Sequence, residues 1–171
     1  MAVNLSARQF ECGNLLAVVS DALSASQLAP ERLELEITVL LQKNAENVAQ
    51  LQALKSVGVS IVLDDFATGH SSLSYLTMFP FDKIKIDRSF VSELGKRADC
   101  TAVVCAIIGL GKSLDIATTA EGVETEEQFA LARAAGCREV QGYVFGRPVP
   151  ISELTFVSAG QQRKRGKRKA Q

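Results

Sequence analysis

Residues able to hold a metal or an anion recur along this 171-residue chain at one kind of place, the end of a short apolar run. Asn4, Glu36, Asp64 with Asp65, Lys85 with Asp87, Glu121 and Gln141 each stand where a strand-like segment breaks off. Carboxylates gathered at ~4 Å repel by about 4 kcal/mol per pair at an effective dielectric of about 20. Bringing Glu36, Asp64, Asp65 and Glu121 together therefore calls for a counter-charge, and one or two divalent cations supply it. For the adjacent aspartates alone, a turn capping the next helix is an equally good reading; the company of Asn4, Glu36 and Glu121 favours the metal. Lys85 taken alone reads as an exposed strand-end lysine, and only its surroundings give it a role.

Positioning these residues requires elements that end at a common face. Hydrophobic periodicity and turn signals alternate strand and helix about every 25 to 30 residues. Strands are predicted at 2–5, 33–37, 59–63, 83–86, 116–120 and 140–143, and helices at 7–25, 44–57, 100–112, 126–135 and 151–158. A polar loop over 64–72 leads into a short helix, and Gly136 stops the helix before it. The uninterrupted β-branched run at 59–63 suits a strand buried on both faces. Six βα units in succession predict a parallel α/β sheet with right-handed crossovers. Polar residues follow all six strands instead of clustering at one switch point, which favours a TIM-type (β/α) barrel over an open doubly wound sheet. An eight-unit barrel takes roughly 250 residues, so about six of eight units are expected.

Composition narrows the ligand. At 47% hydrophobic and 22% charged the chain is an ordinary globular one, and its zero net charge conceals an asymmetry. Residues 163–171 hold six of the 19 basic residues and no acidic one, which leaves 13 basic against 19 acidic residues, a charge of −6, over 1–162. An acidic body argues against nucleic acid as the ligand of the fold, and the tail over 159–171 reads as a solvated, disordered end. Cys12, Cys100, Cys105 and Cys137 form no CxxC pair, and His70 is the only histidine. Reduced, mostly buried thiols in a cytoplasmic domain are expected. No apolar run is long enough to span a bilayer. The Gly109 to Ser113 stretch imitates a phosphate loop, but the motif's first glycine would fall on Ala106, and the segment ends a helix. Phe145 and Arg147 could cradle a base or phosphate, with strand-end packing the plainer role.

The segments VNLSARQF (3–10), LELEIT (33–38), DDFATGHSSL (64–73), IKIDRSFV (84–91), AEGVET (120–125) and QGYVFGRP (141–148) resemble, in order, those of the EAL domain family. That family comprises bacterial signalling phosphodiesterases that open cyclic di-GMP to the linear dinucleotide with two Mg²⁺ or Mn²⁺ ions on a modified TIM barrel. The resemblance implies that Asn4, Glu36 and Asp64 bind the first metal, and that Asp65 and Asp87 serve the second or the bridge between them. Lys85 would orient or activate the attacking water, Glu121 would bind metal and contact that water, and Glu124 and Gln141 would support substrate and water. It further implies inhibition by Ca²⁺, a homodimer, and a longer parent with a sensor or cyclase domain upstream. Residues 1–158 would form the C-terminal portion of an EAL domain.

Departures from the family pattern temper the expected activity. The 171 residues contain no Glu-Ala-Leu motif, so one metal-binding glutamate and a substrate-contacting arginine have no counterpart. Val39 follows Thr38 where the family usually has glutamate, and Ala67 and His70 replace its glycine and tyrosine. Weak or absent turnover is expected of this chain. The alternative is a non-catalytic module that binds cyclic di-GMP or a protein partner. The incomplete set of strands also predicts exposed sheet edges prone to association.

Overall fold

In the computed structural model the described residues are 1–38, 44–68 and 73–154. Val39, His70 and the basic tail over 159–171 lie outside them. Six strands form one parallel sheet in the order β1-β2-β3-β4-β5-β6: β1 Ala2–Leu5, β2 Glu34–Ile37, β3 Ser60–Phe66, β4 Lys83–Ile86, β5 Ala117–Ala120 and β6 Glu139–Val140. Consecutive strands are always neighbours, so the sheet winds in one direction with no switch point. That is the strand order of a TIM-type barrel, here an open arc of six strands.

Among the described residues seven α-helices accompany the strands: α1 Ala7–Glu11, α2 Leu15–Ser26, α3 Ala45–Ser56, α4 Ser74–Met78, α5 Arg88–Val91, α6 Ala98–Ser113 and α7 Glu126–Ala134. Period-two alternation divides each strand between two faces. Leu35, Ile37, Ile61, Leu63, Ile84 and Ile86 face the helices and pack with Leu51 and Leu54 of α3, Val104, Ile107 and Ile108 of α6, and Ala132 of α7. Burying a side chain of this size stabilises the fold by about 1.5–3 kcal/mol. The opposite face carries Glu36, Asp64 and Lys85. Thr125 and Gln128 form a reciprocal capping box that starts α7, and Asn44 caps α3 by accepting from the Asn47 amide at 2.8 Å.

Several boundaries differ from expectation. The helix predicted over 7–25 is two helices, because Gly13 adopts φ +69° between them, a left-handed conformation that a helix cannot continue. The strand predicted at 59–63 runs on to Phe66, so both aspartates belong to it rather than to a loop. The last strand is two residues long, and Gln141 lies just beyond it. Residues 151–153 form a 3-10 turn in place of the start of a helix, and 155–158 are outside the described residues. The cysteines are free as expected, but Cys12 and Cys105 are exposed; only Cys100 is fully buried.

Candidate active site

Lys85 is the centre around which the strand-end carboxylates assemble. Its ammonium lies 2.9 Å from Glu36, 3.2 Å from Asp64 and 2.7 Å from Glu121, and its side chain is only 8% exposed. The residues come from β4, β2, β3 and the position after β5, so the cluster exists only because the strands share one face. Glu121 is placed by continuation of the ladder, its amide donating to the Ile86 carbonyl at 3.1 Å. Gln141 is placed likewise beyond β6, donating to the Ala120 carbonyl at 2.9 Å.

A bulge resolves how two adjacent aspartates serve one site. Leu63 pairs with Ile84 and Phe66 with Ile86, so β3 fits one more residue than β4 into the same stretch. Asp65, with φ +50°, absorbs the extra residue; aspartate tolerates this left-handed conformation better than most residues. Phe66 thereby returns to the helix face, while Asp64 and Asp65 both join the polar cluster. Carboxylate oxygens of Asp64, Asp65 and Glu121 lie within 4.8 Å of one another, a spacing and all-oxygen donor set that fit a hard divalent cation.

Burial and mutual repulsion perturb the acids. Burial pushes the Glu121 carboxyl above its ordinary value, and nearby Asp64 and Glu36 push the same way, together outweighing the lowering by Lys85. Asp65 is also raised, by burial and then by the charges of Asp64 and Asp87. Burial acts to lower the pKa of Lys85, but hydrogen bonds to Glu121 and Glu36 overcome it and leave the ammonium more firmly protonated than usual. Burial would raise Asp87 too, yet hydrogen bonds from Ser89 and Arg88 hold it below its ordinary value. Asp87 also caps α5, accepting from the Ser89 amide at 2.9 Å.

The remaining candidates lie around this centre. Glu121, Glu124 and Gln141 line an open cleft of about 200 Å³ together with Arg88, Gly142 and Tyr143. Asn4 pairs in register with Glu36 on the neighbouring strand but is exposed, at the rim. Arg88 and Tyr143 are not among the residues the sequence singles out; the signal for each is its place in a quoted segment, Arg88 in IKIDRSFV and Tyr143 in QGYVFGRP. Phe145 packs edge-on against Phe129, with centroids 5.5 Å apart, and Arg147 sits over the ring of cleft-lining Tyr143 at 4.8 Å. Gly142 is required by close approach, because a Cβ there would stand 2.1 Å from the Val123 carbonyl oxygen.

The family model described as the EAL domain matches residues 1–148. An uncharacterized signaling protein of Caulobacter vibrioides is 50% identical over 158 residues, covering 91% of this chain and 20% of its own length. MucR of Pseudomonas aeruginosa, described as a bifunctional diguanylate cyclase/cyclic di-GMP phosphodiesterase, is 42% identical over 90% of this chain and 23% of its own length. Its phosphodiesterase structure in complex with c-di-GMP superposes with a TM-score of 0.83 at 43% identity, over 90% of this chain and 63% of that one. A manganese/c-di-GMP complex of Klebsiella pneumoniae BlrP1 superposes with a TM-score of 0.79 at 32% identity, over 86% of this chain and 38% of that one. The chain thus spans about a fifth of the length of these curated relatives.

Proposed function

The chain belongs to the EAL domain family, and from that premise we propose that its carboxylate cluster is the metal-dependent centre of a cyclic di-GMP phosphodiesterase. The convergence of Glu36, Asp64 and Glu121 on Lys85, with Asp65 folded in by the bulge, carries this reading. Asn4, Glu36, Asp64, Asp65, Asp87 and Glu121 are the residues that would hold two Mg²⁺ or Mn²⁺ ions. Such ions would acidify the attacking water and offset charge on the leaving oxygen. Lys85, kept protonated, orients the water and opposes negative charge in the transition state. Glu121 aligns the same water, and the Glu124 and Gln141 side chains steady substrate and water in the cleft. The complexes reported for MucR and BlrP1 support the choice of cyclic di-GMP and of manganese.

Turnover by these 171 residues is expected to be slow, since they contain no Glu-Ala-Leu motif and carry Val39. The same observation favours a second reading, a module that binds cyclic di-GMP without hydrolysing it. Incubating the purified chain with cyclic di-GMP and Mn²⁺, and following the linear dinucleotide by chromatography, tests catalysis; a rate well under about 1 s⁻¹ is expected. Calorimetric titration with cyclic di-GMP in Ca²⁺, a proposed inhibitor, isolates binding. Product formation selects the enzyme, and heat without product selects the binding module. Neither heat nor product would refute both. The length of the relatives supports action beside other domains, such as the cyclase named for MucR, and a homodimer remains part of this reading.

A further inference from the structure

Directly beneath the carboxylate centre lies a second charged layer. Lys83 of β4 bridges Glu34 of β2 and Glu139 of β6, each at 2.6 Å, and Glu139 also accepts from the Thr119 hydroxyl of β5 at 3.2 Å. The Lys83 side chain is only 11% exposed. Each of these residues stands two positions before a residue of the upper site: Glu34 before Glu36, Lys83 before Lys85, Thr119 before Glu121 and Glu139 before Gln141. With a period of two, each pair shares a face, Glu36 and Lys85 within their strands and Glu121 and Gln141 just past the ends of β5 and β6. On β3 the corresponding residue is Val62, fully buried two positions before Asp64.

The layers of a barrel interior are ordinarily bulky and apolar, so a charged one needs a reason. Backbone ladders join only adjacent strands. Lys83 instead ties β4 to β2 across β3 and to β6 across β5, strands that share no backbone hydrogen bond. Such ties between next-nearest strands govern how tightly the arc curves, and the curvature sets how closely Glu36, Lys85, Glu121 and Gln141 approach. Lys85 forms a similar grip above, but metal ions would compete for its carboxylates. The grip of Lys83 involves none of the proposed metal ligands and persists when they are engaged.

We infer that Lys83, held by Glu34 and Glu139, is a positioning residue that maintains the curvature of the sheet and thereby the spacing of the metal-binding carboxylates above it. This rests on the metal-centre reading. Electrostatics alone would make Lys83→Met bind a cation more tightly, because a positive charge is removed. Loss of positioning acts in the opposite sense.

The test titrates the full chain with Mn²⁺ alone and reads free ion by electron paramagnetic resonance, in dilute buffer and in 1 M KCl. Lys83→Met is expected to weaken Mn²⁺ binding about tenfold, the lower end of the loss typical when a metal ligand's supporting contacts are removed. Lys83→Arg, which can still span two carboxylates, should recover most of it. Unchanged or tighter binding by Lys83→Met would overturn the inference while leaving the metal centre intact. Failure of the unaltered chain to bind Mn²⁺ would overturn both. Should Lys83→Met not fold, Glu139→Gln breaks the same bridge at a half-exposed position. A loss of affinity there that survives 1 M KCl, where the screening length is about 3 Å, supports positioning. A loss that vanishes in salt would overturn it.

Discussion

At the scale of single residues, Lys85 replaces solvent as the partner of three carboxylates, and its removal should be costly. Breaking a buried ion pair by deleting one partner costs about 3–5 kcal/mol. Lys85→Met is expected to lower the metal-free urea midpoint by a corresponding amount, with saturating Mn²⁺ recovering part of the loss by replacing the cation. The acids give a second prediction through pH. Because Glu121 and Asp65 are raised, the folded chain holds their protons more tightly than the unfolded chain. Their contribution to stability is therefore favourable at acid pH and declines as pH rises from the ordinary carboxylate value through the raised one. Mn²⁺ demands the ionised forms, so its affinity should fall as pH drops through the same window. Urea midpoints of the unaltered chain and Glu121→Gln, compared between about pH 4 and pH 7 with and without Mn²⁺, check both signs. A substitution that leaves both dependences unchanged would refute the assignment to Glu121.

At the scale of elements, the end of β3 and the segment after β6 each hold a backbone position sensitive to its side chain. Ala67 has φ +79°, a region that costs a non-glycine residue about 1–2 kcal/mol. Ala67→Gly should stabilise the chain by about 1 kcal/mol, less than the full strain because glycine gains freedom in the unfolded state; a chemical denaturation curve measures it. Gly142→Ala should do the opposite and lose about 3 kcal/mol, since the added carbon meets Val123 backbone rather than a movable side chain. The EAL-like motifs announced both segments, and the apolar strand cores were legible from their β-branched runs. The bulge was not legible, because the two aspartates of DDF read as the start of a polar loop and nothing in composition marks the one-residue excess over β4.

At the scale of the whole molecule, the sheet is an arc whose β1 and β6 each pair on one side only among the described residues. Edges of this kind template further pairing, although the two-residue length of β6 blunts one of them. Sedimentation of the 171-residue chain should show association that grows with concentration, and Val3→Lys on the β1 edge should reduce it. No helix among the described residues is long and apolar enough to cross a membrane. The sequence by itself determined the order of the strands, the parallel sheet, and which polar residues stand at strand ends, since a period of two assigns each residue to a face and motif order assigns each to a strand end. Only the tertiary structure decided depth and partnership. Lys85 taken alone reads as an exposed lysine until β2, β3 and β5 close around it, and Glu34, Lys83 and Glu139 draw no reading of their own until the curved sheet brings carboxylates of next-nearest strands within 2.6 Å of one ammonium. Periodicity along a strand reports which side a residue faces. It carries no information about the register and curvature that set its neighbours across the sheet.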